Sequence, residues 1–452
     1  MPAPLTRSLG AFAAGLRFEH LPEAALAVVR LGFTDCVATI LAGVEEPVAR
    51  IVREQLGTRG AKGEARLVFG AERASAPEAA LANGTAGHAL DYDDVALTGH
   101  PSVVLVPAVL AEAEALGADG RAAAAAYVVG YETWAHLSER DRDPLHSKGW
   151  HPTAVVGTVA AAAAVANLRG LDAEKATMAI AIAASMSAGL VANFGTMTKP
   201  FQAGRAAQSG ITAARLAGAG FTGSADAIEH PLGFLHALSP ENRVDTETPL
   251  EGLGQDWRIV RKGLNVKKYP MCYCTHRAID GMLDLARANK LTPGSVRRIA
   301  VDTSPSQAAV LRNRRPQTGL EAKFSMEFAM ASALTAGRAG LGELTDAFVR
   351  RPEVQQAMAK VEITTTQSPS KEDPLFAAFD RIEVTLDDGR RIQSPELHVA
   401  RGHWSAPLTR EEIWTKFRDC AATRLQENRA SALFEGLQAL DRQSDLRALG
   451  AA

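Results

Sequence analysis

Three carboxylates (Asp91, Asp93, Asp94) and two histidines (His88, His100) fall within the stretch Asn83 to Pro107, NGTAGHALDYDDVALTGHPSVVLVP, between two apolar helical patterns. Side chains of these types at a helix-to-helix junction can converge on one substrate and donate, accept or hold a proton. Pro101 follows His100, and its fixed φ and missing N–H suit the first turn of a helix. The imidazole is therefore expected at a helix N-terminus, where unbonded N–H groups favour an anion. His151-Pro152 repeats the arrangement ahead of a second apolar run, TAVVGTVAAAAAVANL. Lys199 lies in GLVANFGTMTKPFQAGRAAQSG, where Gly195, Pro200 and Gly204 are expected to break a helix and leave the lysine on a loop. Lys267 and Lys268 precede Pro270 in LNVKKYPMCYCTHRAI, at an expected domain boundary, a place ligand sites favour.

Each feature has a plainer reading. A histidine at a helix start is usually a hydrogen-bonded structural residue, and Asp93 and Asp94 read as helix caps or surface charges. Cys272 and Cys274 with His276 lack a second ligand pair at zinc spacing. A helical metal-dependent hydrolase would draw on His88, Asp91, Asp94 and His100, yet no adjacent His-Asp pair is present. An isoprenoid synthase would need Asp-Asp-x-x-Asp, and Asp93-Asp94 is followed by Val95, Ala96 and Leu97. No metal-ligand set is complete and no phosphate-binding glycine loop follows a strand, so neither a metal nor an organic cofactor is expected.

The elements that must position these residues are mainly helices. The chain has 452 residues, 46% hydrophobic and 22% charged, enough for two domains. A net charge of -2, from 49 basic against 51 acidic residues, gives no electrostatic footprint for nucleic acid or an anionic membrane. A small molecule or another protein is the expected partner. Four scattered cysteines suit a reducing compartment, and the N-terminus lacks a signal-peptide pattern, so a cytoplasmic location is expected. The most membrane-like run, Thr153 to Leu168, is shorter than a spanning helix and reads as a buried core helix. Helical patterns dominate to about Asn265, with Asp119 and Asp172 as expected caps and a short strand over Ala65 to Gly70. Strand-like runs then appear at 296–303, 361–366 and 381–386, with helices at 275–288 and 325–336 between them. Helix returns after Pro407, where Thr409 and Glu412 form a capping box. The expectation is a mainly α protein: a large helical domain over 1–265, completed by 396–452, with a smaller inserted α+β domain over 266–395.

The motifs DYDDV with GHPS, GWHP, GTMTKPFQAGRAAQSG, VKKYP with TH, and EAKFS stand in this order over most of the chain. In them the sequence resembles the MmgE/PrpD family, which includes 2-methylcitrate dehydratase, cis-aconitate decarboxylase and iminodisuccinate epimerase. The resemblance implies an all-helical domain built from both chain ends, a smaller α+β lid, a homodimer, and a cofactor-independent site between the domains. It carries active-site positions onto Asp91, His100, His151, Lys199 and Lys267. Lys268 is the second choice to Lys267, and His276 joins the lysines as a substrate-binding candidate. Two positions depart from the decarboxylase branch: Phe328 stands where that branch has tyrosine, and Val103 where it has glycine. The resemblance therefore points first to a dehydratase-type carbon-oxygen lyase acting on a small di- or tricarboxylic acid, with the decarboxylase and epimerase as alternatives. Such chemistry needs a base, an acid and cations for the developing charge, which two histidines and two lysines supply.

Overall fold

Alanine and glycine at helix contacts let backbones approach closely, and this sets how the first half of the chain packs. The structure is a computed structural model describing residues 2–56, 63–67, 70–371 and 376–449. It is mainly α and divides into two compact units, Met1–Asn265 with Arg410–Ala452, and Val266–Thr409. The helices of the first unit that frame the site are α1 (Glu23–Gly43), α2 (Ala76–His88), α3 (Ser102–Leu116), α4 (Gly120–Ser138), α5 (Pro152–Leu168), α6 (Ala173–Met186) and α7 (Thr198–Gly218). Asp119 and Asp172 cap α4 and α6, accepting from Ala122 N at 2.8 Å and Lys175 N at 2.9 Å. The apolar run of α5 is a core helix, buried from Pro152 to Ala166. The helix α1 is long and apolar enough to cross a membrane, yet 72% of its most apolar window is buried within the protein. It carries Asp35 on a buried face.

Where α2 meets α7 the backbones nearly touch. A Cβ on Gly204 would lie 2.3 Å from the Leu81 carbonyl oxygen, and one on Gly84 would lie 2.8 Å from the Gly204 Cα. Any side chain there would push the two helices apart. This corrects the expectation of a broken helix around Lys199. Pro200 falls in the first turn of α7, where its N–H would have no intrahelical partner, and Gly204 serves packing within a continuous helix. Lys199 therefore rides on a helix N-terminus and not on a loop. The strand expected over 65–70 is limited to Ala65–Arg66, paired with Arg73–Ala74, and residues 68–69 lie outside the described residues.

The second unit contains α8 (His276–Asn289), β1 (Val296–Asp302), α9 (Met326–Ala336), β2 (Val361–Thr364), β3 (Arg381–Leu386) and β4 (Arg391–Gln393). Its sheet has the order β2-β1-β3-β4, with β1 parallel to β2 and antiparallel to β3. Ile382, Val384 and Leu386 alternate inward along β3, and β3 turns into β4 through Gly389 at φ 86°. They join a core with Ile279 and Met282 of α8 and Met326 and Phe328 of α9. The chain then returns to the first unit through α10 (Arg410–Ala421) and α11 (Glu427–Gln438), whose Trp414 and Phe434 rings lie 5.1 Å apart.

Candidate active site

The loop from α2 to α3 is short and conformationally demanding. Asp91, Leu97 and Thr98 all take positive φ (52°, 51° and 61°), a region costly to non-glycine residues and held only when the surroundings over-determine it. Backbone pairing of Val95 with Asn265, and of Ala96 with Gly99, supplies part of that constraint. Trp134 adds another, donating from Nε1 to the Leu97 carbonyl at 3.2 Å. The His100 amide donates to Thr153 Oγ1 at 3.2 Å, which ties the loop to the start of α5.

Within this frame the first unit gathers Asp91, His100, His151 and Lys199. Nζ of Lys199 donates to Oδ1 of Asp91 at 2.6 Å, and the same oxygen lies 3.9 Å from Nε2 of His100. Both Asp91 and His100 are partly open, each side chain 13% exposed, whereas His88 and Asp93 beneath them are sealed. Asp93 was expected to be a cap or a surface charge, and the structure overturns this. Its Oδ1 lies 2.9 Å from Nδ1 of His88 and its Oδ2 lies 3.0 Å from Nδ1 of His100. Burial alone would raise its pKa, but the two adjoining imidazoles outweigh that and hold the carboxyl well below the usual range, so it is ionised. Asp94 is also fully buried, on the other side of the loop; burial and the nearby Asp35 carboxylate push its pKa well up. The alternation of neighbouring residues explains the split: one carboxylate faces the histidines and the next faces the core.

His151 is held differently. Its Nδ1 is 2.7 Å from Oε1 of Gln202, whose own Nε2 donates to the Leu190 carbonyl at 3.3 Å. That second bond fixes the amide orientation, so His151 carries its proton on Nδ1 and a lone pair on Nε2. This Nε2 is buried with no hydrogen-bond partner among the described residues. Burial, then the neighbouring histidine and lysine, depress the His151 pKa well below its ordinary value, which keeps the ring neutral. Phe194 packs edge-on against His151 at 4.9 Å and lies 5.2 Å from Nζ of Lys199. The ring of His88 stands between the other two, 4.5 Å from His100 and 6.1 Å from His151.

Lys267, Lys268 and His276 belong to the second unit. Lys267 is buried at 2% exposure, an unusual state for an ammonium group unless partnered. His276 is sealed between the rings of Tyr269 and Tyr273, with Nε2 at 3.2 Å from the Met271 carbonyl, so it faces a backbone acceptor. Cys272 and Cys274 beside it are buried, and their mutual contact, then burial, pushes the Cys274 thiol up, the opposite of a metal-binding thiolate.

One ligand atom each from His88, Asp91, Asp93 and His100 lies within 4.8 Å of the others, a spacing a metal ion can span. The donor chemistry does not fit. Lys199 places its ammonium on Asp91, where a divalent cation would meet like charge, and Asp93 is shared between two imidazoles. Asp94, a member of the ligand set drawn from the sequence, faces away from it.

Asp93 and Gln202 are the residues that reading the sequence passes over. Gln202 stands three residues after Lys199, so both lie on one face of a helix, and that spacing was the available signal.

Family models match nearly the whole chain: the MmgE/PrpD N-terminal domain over residues 7–247 and the MmgE/PrpD C-terminal domain over 269–441. Among similar proteins is the cis-aconitate decarboxylase of Mus musculus, 29% identical over 82% of this chain and 77% of the relative. That of Homo sapiens is also 29% identical, over 82% and 78%, and that of Aspergillus terreus is 24% identical over 98% and 95%. The five motifs, the two matching domain models and the length over which relatives align agree: this chain belongs to the MmgE/PrpD family.

Proposed function

We propose that the protein is a lyase that removes carbon dioxide from a small unsaturated tricarboxylic acid, cis-aconitate or a close analogue, using protein side chains alone. The relatives named above support the substrate class, since each carries the name cis-aconitate decarboxylase. One observation carries the chemistry. The partly open His100 imidazole has a carboxylate near each ring nitrogen, and Lys199 stands beside it on a helix N-terminus. In the reaction the carbon–carbon bond to one carboxylate breaks, its electron pair stays on the carbon skeleton, and a proton from His100 ends on a skeleton carbon. Lys199 binds a remaining carboxylate through its ammonium group. Lys267 is the candidate for another. The same reading carries a homodimer, checked by the mass in solution.

Phe328 and Val103 count less against a decarboxylase than the sequence alone suggests. Phe328 is a core residue of the second unit, packed edge-on against Phe348 at 6.3 Å, and Val103 fills the space over Gly87. Dehydration of 2-methylcitrate is the second reading, favoured by one feature: the neutral His151, across the His88 ring from His100, gives the base-and-acid pair that loss of water requires and loss of carbon dioxide does not. Incubating the protein with cis-aconitate, citrate, 2-methylcitrate and iminodisuccinate, with proton NMR and carbon dioxide release followed together, separates these readings. Carbon dioxide release from cis-aconitate supports the proposal; turnover of 2-methylcitrate without it overturns the proposal in favour of dehydration.

A further inference from the structure

A second charged cluster lies behind the loop, away from the residues that face the substrate. Lys416 of α10 is 6% exposed and Asp35 of α1 is 2% exposed. Nζ of Lys416 lies 2.6 Å from Oδ1 of Asp35 and donates to the Tyr92 carbonyl at 2.8 Å. It also sits 4.0 Å over the Tyr92 ring. Tyr92 directly precedes Asp93, and follows Asp91 with its positive φ. A buried ammonium is costly, and one engaging a carboxylate, a carbonyl and a ring face together is spent on fixing geometry. Other backbone ties of this loop act at Asp91, whose amide donates to the His88 carbonyl at 3.2 Å, and further along at Val95, Leu97 and His100. Lys416 acts on the peptide between the two functional carboxylates, from 324 residues away in sequence.

We propose that Lys416 is a positioning residue for the reaction: by holding the Tyr92 carbonyl against α10 it fixes the direction in which Asp91 meets Lys199 and Asp93 meets His88 and His100. Asp35 balances its charge. The segment that closes the first unit thereby sets the acid–base geometry without touching substrate. The proposal rests on the functional reading above only for its kinetic test.

Three variants are compared with the wild type: Lys416→Met, Lys416→Arg and the double variant Lys416→Met with Asp35→Asn. The double variant leaves no unpaired buried charge and is read in place of the single one if Lys416→Met does not fold. Positioning predicts that kcat falls by at least about tenfold in every folded variant while KM changes by less than about twofold, since small misplacements of reacting groups act on turnover. Wild-type kcat in the double variant means the lysine only neutralises Asp35, and wild-type kcat with lowered Tm in Lys416→Met means it only stabilises the fold. Either result overturns the proposal. A readout without substrate keeps it separate from the functional reading: imidazole NMR signals of His88 and His100 are expected to move in the folded variants. Unmoved signals overturn positioning even if the enzyme acts on another acid.

Discussion

Lys199 and Asp91 meet at 2.6 Å, so the cation best placed for an incoming carboxylate already has one. On the proposed reading, substrate displaces Asp91 or shares the ammonium with it. This pairing keeps Lys199 aimed, and it predicts different losses on the two sides. Lys199→Ala should lower kcat/KM by a factor matching roughly 2 to 4 kcal/mol of lost stabilisation. Asp91→Asn should lower kcat more than it weakens binding, because Lys199 is then freer to hold substrate while His100 loses one carboxylate. Steady-state kinetics of both variants on the substrate identified by NMR checks this; wild-type kinetics in Lys199→Ala would place the substrate elsewhere.

Asp93→Asn tests the carboxylate shared by two histidines. The amide is close in shape to the carboxylate but cannot stabilise a charged imidazole, and a comparable change at an orienting aspartate lowers turnover by orders of magnitude. A loss in kcat of about a hundredfold or more is expected, with KM nearly unchanged. If kcat stays within about twofold of wild type, Asp93 is only a buried structural anion.

How much of this could be read without a structure depends on what each residue's neighbours in sequence reveal. Pro101 and Pro152 announce their helix starts, so the placement of His100 and His151 is legible, as are the Asp119 and Asp172 caps. The strands show through the alternation of Ile382, Val384 and Leu386. The expectation of a loop at Lys199 fails because proline and glycine carry two meanings. Pro200 opens a helix as readily as it breaks one, and Gly204 answers to Leu81 and Thr85 on a helix that local sequence cannot see. Asp93 and Asp94 are indistinguishable as letters. Which one is buried against histidines depends on three positive-φ residues in the loop, and those depend on contacts from Asn265 and Trp134.

Burial lowers the His88 pKa from 6.5 to about 4, offset in part by Asp93. Above about pH 6.5 the ring is neutral both folded and unfolded, and its contribution is complete. As pH falls from 6.5 toward 4 the unfolded chain binds a proton that the folded protein excludes, so stability drops across that window, by about 3 kcal/mol at most for this group. Denaturant unfolding at pH 7.5, 5.5 and 4.5 should show a steeper loss for wild type than for His88→Gln. Parallel curves would mean that His88 is not held neutral.

Chelation should leave activity intact. The ammonium of Lys199 on Asp91 and the two imidazoles on Asp93 already use the oxygens a divalent ion would need. The measurement is turnover after dialysis against EDTA, and activity that is lost and then restored by a divalent ion would count directly against the assignment.

His100 and His151 should not be interchangeable. His100 has Asp93 at 3.0 Å and Asp91 at 3.9 Å, whereas His151 has a fixed amide on Nδ1 and an unpartnered Nε2. The first arrangement suits a proton donor and the second a proton acceptor. In deuterium oxide the proposed decarboxylation places one deuteron on the product carbon, and on that reading His100 supplies it. His100→Ala should therefore lose turnover by about a hundredfold or more, the upper part of the range for a general acid. His151→Ala should keep a measurable rate of carbon dioxide release with the same label in the product, because no proton has to be removed. If dehydration is the true reaction, His151→Ala instead loses proton exchange and product together, since no elimination begins without the base. Equal loss of carbon dioxide release in both variants would remove the division of roles, and full activity in both would leave these histidines as structural residues at two helix starts.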